Sequence, residues 1–65
     1  MSDRELEILK LLAAGLSNKQ IAERLIISLN TAQWHIKNIY HKLGAHRRTQ
    51  AVARAQALGL FPNYP

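Results

Sequence analysis

Residues 29–43, LNTAQWHIKNIYHKL, concentrate the side chains best suited to recognising another molecule. Wound as an α-helix at about 100° per residue, they place Asn30, Gln33, Trp34, Lys37 and His41 within about 100° of one another. Thr31, His35 and Lys42 fall along one flank. A solvated helix face is normally filled with Glu, Lys, Arg and Ala. This one holds no acid, and its largest side chain is an aromatic. A ring turned away from the core is unfavourable in a small free-standing domain, so either Trp34 meets a ligand or it covers a neighbouring helix. The set fits the edges of double-stranded DNA. Gln and Asn hold adenine bidentately, Lys reaches the guanine acceptors, and an aromatic packs on the thymine methyl. Thr, His and Lys on the flank reach phosphates, which position a helix without reading sequence.

Other chemistries find less support. His35, His41 and His46 are spaced by six and five residues, which sends them to different faces, and no carboxylate lies near them in sequence, so no metal site is expected. Ser2, Ser17 and Ser28 each stand where a helix begins and are explained as caps, leaving a serine nucleophile without support. The four acids are scattered rather than paired for acid–base catalysis. Gly15, Gly44 and Gly59 are isolated helix stops, not a phosphate-cradling loop. Cysteine is absent, which excludes a disulfide scaffold, a thiolate zinc site and a cysteine nucleophile. The chain is therefore expected to be a binding module rather than an enzyme, with no catalytic residue, metal or cofactor.

Four helices are predicted to position these residues, and no run alternates as a strand would. The first spans about 3–14: Ser2 and Glu5 make a capping box, Leu6, Leu9 and Ala13 share a face with Ile8 and Leu12 flanking, and Gly15 ends it. The second spans about 18–25, opened by a capping box of Ser17 and Gln20, with Ile21, Ala22 and Leu25 turned inward. The third spans about 29–43, between the N-cap Ser28 and Gly44. Its core stripe is Leu29, Ala32, Ile36, Ile39, Tyr40 and Leu43, opposite the recognition face. The fourth spans about 48–58 and is stopped by Gly59; residues 60–65 are expected to fray. A short helix, a tight turn and a longer helix make a helix-turn-helix, whose second helix enters the major groove. At the start of the second helix, Ser17, Asn18 and Lys19 offer free amides and a cation to a phosphate.

Charge is placed unevenly. The 65 residues carry nine Lys and Arg against four Asp and Glu, a net +5, with a pI near 10.3. All four acids precede residue 26, where four bases balance them. From there on, Lys37, Lys42, Arg47, Arg48 and Arg54 stand unopposed. Such a field attracts polyanions. At 48% hydrophobic and 20% charged the chain is a folded globule with room for one small domain. No apolar run approaches the roughly 20 residues of a membrane span, and no secretory signal precedes the first helix, so no membrane partner and a cytoplasmic location are expected.

Four runs, DRELEILKLLAAGLSNKQIAERL, ISLNTAQWHIKNIYHKLG, RRTQAV and ARAQALGL, cover nearly the whole chain in a specific order. In them the chain resembles the LuxR-type, or GerE/FixJ-type, DNA-binding domain of bacterial transcription regulators. The resemblance implies an all-α, four-helix domain that binds double-stranded DNA, commonly as a dimer through the last helix. It implies base contacts from Gln33, Trp34 and Lys37, and phosphate contacts from Ser17, Lys19, Thr31 and Lys42; Arg47 and Arg48 add affinity. Family members usually carry a small aliphatic at the place of Ala32, Lys or Arg at that of Gln33, and a small or aliphatic residue at that of Trp34. These departures bear on which DNA is read, not on the fold. The alanine-rich fourth helix would let two copies approach closely through Ala51, Val52, Ala55 and Leu58, as a weak dimer formed mainly on DNA. The resemblance also makes residues 1–65 one domain, the C-terminal fragment of a longer regulator whose sensing domain lies outside this chain. The runs LAAGLSNKQIAERL and NTAQWHIKNIYHKLGAHRRTQAVARAQALGL are most similar to the ATPase-linked, MalT-like branch.

Two other functions compete with sequence-specific DNA binding. A helical protein-interaction module would use Trp34 as an interface anchor with no nucleic acid involved. An RNA binder would stack unpaired bases on the same ring, although one aromatic on a helix is a poor platform.

Overall fold

The computed structural model describes residues 1–60. Four α-helices, α1 (Asp3–Ala13), α2 (Asn18–Leu25), α3 (Leu29–Leu43) and α4 (Arg48–Ala57), follow one another with no strand among the described residues. The predicted all-α class is therefore the observed one. The bounds of α2 and α3 coincide with expectation. Helices α1 and α4 stop one residue early, where Ala14 and Leu58 serve as C-caps.

Each of the first three helices opens on a serine that satisfies a free amide of the first turn. The Ser2 hydroxyl accepts from the Glu5 amide at 3.2 Å, and the Glu5 carboxylate accepts from the Ser2 amide at 3.0 Å. Ser17 and Gln20 repeat this reciprocal pair at 3.1 and 2.8 Å. Ser28 accepts from the Thr31 amide at 3.1 Å and donates its own proton to the Thr31 hydroxyl at 2.9 Å. Helix α4 lacks a side-chain cap at Arg47; instead the Gln50 amide oxygen reaches back to accept from the His46 N–H at 2.8 Å.

The helix ends share a second device. The residue after each turn donates back five positions: Leu16 to Leu11, Ile27 to Ala22, Ala45 to Tyr40 and Leu60 to Ala55. This closure needs a left-handed residue just before the donor. Three of the four are glycines, Gly15, Gly44 and Gly59; the fourth is Ile26, at φ 56° and ψ 50°. A β-branched side chain there costs about 1–2 kcal/mol. Ile26 is also 91% exposed, so it recovers nothing by packing. Ile26→Gly is expected to stabilise the chain by about 0.5–1 kcal/mol, the strain relieved less the extra freedom glycine gives the unfolded chain. Thermal unfolding followed by circular dichroism should show a midpoint raised by a few degrees; a lowered midpoint would mean that the left-handed turn is not strained.

The core is Ile8, Leu9 and Leu12 of α1, Ile21 of α2, Ile36, Ile39 and Leu43 of α3, and Ala51 and Ala55 of α4, with Ala45 from the connecting loop. Helix α3 packs against all three others, so the element that carries the recognition face is also the centre of the fold. The structure corrects four sequence expectations. The buried face of α1 is Glu5, Ile8, Leu9 and Leu12, roughly 80° away from the one centred on Leu6, Leu9 and Ala13; Ala13 is exposed. Leu29 is not core but 43% exposed, because it stands in the first turn of α3, ahead of the first buried residue, Ala32. Leu60 is not frayed: it packs against the core and closes α4. The rest of the expected tail, residues 61–65, lies outside the described residues. The alanines of α4 are small because α4 lies close to its own domain: Ala51 and Ala55 are fully buried.

Candidate nucleic-acid interface

Asn30, Gln33, Trp34, Lys37 and His41 are all exposed along one side of α3, as expected. Trp34 does not cover a neighbouring helix. It is 62% exposed, and its indole meets the His35 ring edge-to-face at 5.1 Å between centroids and 69° between planes. Trp34, His35, Asn38, His41 and Lys42 line a shallow groove, closed on the far side by Ser2 and Glu5 from the start of α1.

Lys42 has a task that sequence reasoning missed. Its ammonium donates to both oxygens of Glu5, each at 2.8 Å, across 37 residues of sequence. The Glu5 side chain is buried while Lys42 remains half exposed. Glu5 thus does two jobs, capping α1 and tying it to the last turn of α3. The Lys42 ammonium, aided by the Ser2 amide and hydroxyl and opposed by burial, holds the Glu5 carboxyl down from 4.5 to about 2. No periodicity announces this pair, since its partners are 37 residues apart and the apolar face expected of α1 is another one. The remaining ion pair among the described residues, Arg4 with Glu7 at 3.3 Å, lies exposed on α1.

Apart from Lys42, in the last turn of α3, the residues predicted to face phosphates occupy helix starts. Ser17 and Lys19 are exposed at the start of α2, and Thr31 at the start of α3. Arg48 donates from Nη2 to the Asn18 side-chain oxygen at 3.4 Å, which brings the start of α4 beside that of α2, with Arg47 exposed next to it. The first turns of α2, α3 and α4 contain no acid, whereas that of α1 holds Asp3 and Glu5. The positive dipole ends of the latter three helices are thus left uncompensated by the chain's own carboxylates. Of the four residues expected to meet a second copy, Ala51 and Ala55 are excluded by their burial in the core. Val52 is partly buried against that core, and Leu58 is 67% exposed. Among the described residues no three His, Cys, Asp or Glu side chains gather as a metal set, and no helix is long and apolar enough to cross a membrane.

A short helix, a turn closed at Ile26 and a longer helix presenting an acid-free polar face define a helix-turn-helix domain. The chain belongs to the luxR family of bacterial regulatory proteins, whose family model matches residues 1–55. It is 40% identical over 58 residues to the HTH-type transcriptional regulator AlkS of Alcanivorax borkumensis, covering 89% of this chain and 7% of that protein. It is 43% identical, also over 58 residues, to the HTH-type transcriptional regulator MalT of Yersinia pestis, covering 89% of this chain and 6% of that one. Among solved structures, the response regulator ChrA of a heme-sensing two-component system superposes with a TM-score of 0.90 at 47% identity, over 92% of this chain and 30% of ChrA. The chain thus spans less than a third of each of these proteins. The family is one of bacterial regulatory proteins, and AlkS and MalT are transcriptional regulators.

Proposed function

We propose that this chain binds double-stranded DNA sequence-specifically and so regulates transcription, with α3 lying in the major groove. The observation that carries the reading is the exposed, acid-free face of α3, whose five residues Asn30, Gln33, Trp34, Lys37 and His41 suit base edges. Gln33, Trp34 and Lys37 supply specificity. Ser17, Asn18, Lys19, Thr31, Arg47 and Arg48 hold phosphates from the helix starts. Lys42 meets phosphate only in competition with Glu5. A weak homodimer forms on DNA through the end of α4, where Leu58 is exposed and Val52 partly so, and sets two half-sites about one helical turn apart. The parent protein works in the cytoplasm and joins this domain to a sensing domain, of the ATPase-linked kind found in the MalT-like branch.

Trp34 fluorescence supplies the test. Titration with mixed-sequence duplex should change the emission at low salt and lose the change as salt rises. A flat signal, together with a flat mobility assay at low salt, would overturn the proposal. That outcome would favour a protein-interaction module instead. Lys19 takes part in no ion pair among the described residues. Lys19→Ala is therefore expected to reduce the slope of log K against log salt by about one. Lys42→Ala should reduce it by clearly less, since Glu5 already neutralises that charge. Equal losses would show that Lys42 leaves Glu5 on binding.

A further inference from the structure

We propose that Trp34, held by His35, reads a single C5-methyl group on a pyrimidine in the major groove, so that the duplex this chain prefers carries thymine or 5-methylcytosine at one fixed position. The inference rests on the DNA-binding reading above and narrows its target. Trp34 is the one large apolar side chain on a face whose other members, Asn30, Gln33, Lys37 and His41, are all polar. An indole that is 62% exposed gains hydrophobic stabilisation where apolar surface covers it. Along the major-groove edges of the four base pairs, the apolar group is the C5-methyl; the other positions are hydrogen-bond donors and acceptors. The indole packs edge-to-face on His35 at 5.1 Å, a contact that favours this orientation of the ring before any ligand arrives. A ring already oriented loses less freedom on binding. His35 is in this sense a positioning residue, separate from any phosphate it touches.

The test begins with this chain and a pool of random duplexes, from which the tightest binder is taken. Each thymine is then replaced in turn by uracil, which differs only in lacking the methyl. At one position the unaltered chain should bind about four-fold more weakly, the amount that withdrawing a single methyl group from water supplies. Trp34→Ala should bind the thymine and uracil duplexes equally. His35→Ala should shrink the ratio, and His35→Phe, which keeps a ring edge against the indole, should restore it. If His35 served only to hold a phosphate, its removal would weaken both duplexes and leave the ratio unchanged. Placing 5-methylcytosine at the same position separates the two sources of the methyl. Recovery over plain cytosine means that the methyl alone is read; no recovery assigns the site to thymine. If the duplex binds tightly and no uracil substitution changes affinity, methyl reading is overturned while DNA binding stands. If no duplex binds in a salt-sensitive way, both fall. Trp34 is exposed, so its replacement leaves the fold intact, which thermal melting checks; the uracil series needs no variant at all.

Discussion

Glu5→Gln should lower stability by about 1–2 kcal/mol at neutral pH and flatten the acid side of the stability curve. The amide keeps the shape of the cap and still accepts from the Ser2 N–H. It loses the charge that draws the Lys42 ammonium to 2.8 Å from both oxygens. Hydrogen bonds to charged groups are worth about 1.5–3 kcal/mol, and the half-exposed lysine reduces that through solvent screening. In a domain of this size such a loss lowers the melting midpoint by roughly 5–15 °C. The pH dependence has a definite sign. Glu5 in the folded chain titrates near 2, below its ordinary 4.5, so on acidification the unfolded chain takes up this proton first. The stabilisation is complete above 4.5 and drains away as pH falls through the interval down to about 2. Unfolding measured along that interval should show the unaltered chain losing its advantage over Glu5→Gln, with the two curves meeting at the acid end. Parallel curves would mean that the pair with Lys42 adds nothing to the fold.

Gln33→Ala should weaken binding to the preferred duplex by about 1–3 kcal/mol, a factor between roughly five and 150, and leave random duplex nearly unaffected. The Gln33 side chain is exposed, on the face of α3 away from the core, so the variant folds as before. Its terminal amide suits the N6 and N7 positions of adenine. Lys or Arg at the same place would prefer guanine. Gln33→Lys is therefore expected to move the preference at one base pair from adenine towards guanine. Competition binding against duplexes changed at that pair checks both outcomes. Equal weakening on random DNA would show that Gln33 touches the DNA backbone instead of a base.

Much of the fold was legible because its punctuation is local. Ser17, Ser28 and Gly44 bound α2 and α3 through bonds spanning three to five residues, and these need no knowledge of the rest of the chain. The exposed face of α3 follows from periodicity once its stripe of Ala32, Ile36, Ile39 and Leu43 is seen. What stayed hidden depends on distant partners or on strain. Glu5 lies in the buried face of α1, where Lys42 meets it, and the stripe it shares with Ile8, Leu9 and Leu12 lies away from Leu6 and Ala13. Ala51 and Ala55 suit a close approach between helices, but their composition does not say whether the approach is to another copy or to their own core. Ile26 escaped notice because propensity argues against a β-branched residue in a left-handed turn. At the candidate site, the residue types were legible and the pairings between them, Trp34 with His35 and Arg48 with Asn18, were not.

The two sides of α3 answer to different demands. Ala32, Ile36, Ile39 and Leu43 serve the interior, while Asn30, Gln33, Trp34, Lys37 and His41 face outward and support none of that packing. A lineage can therefore rewrite the outward set without having to solve folding again, and paralogues in one genome can drift apart in target while keeping a common chassis. The same separation suits engineering. A library varied at those five positions alone should consist mostly of folded proteins, and what distinguishes its members should be the DNA they choose.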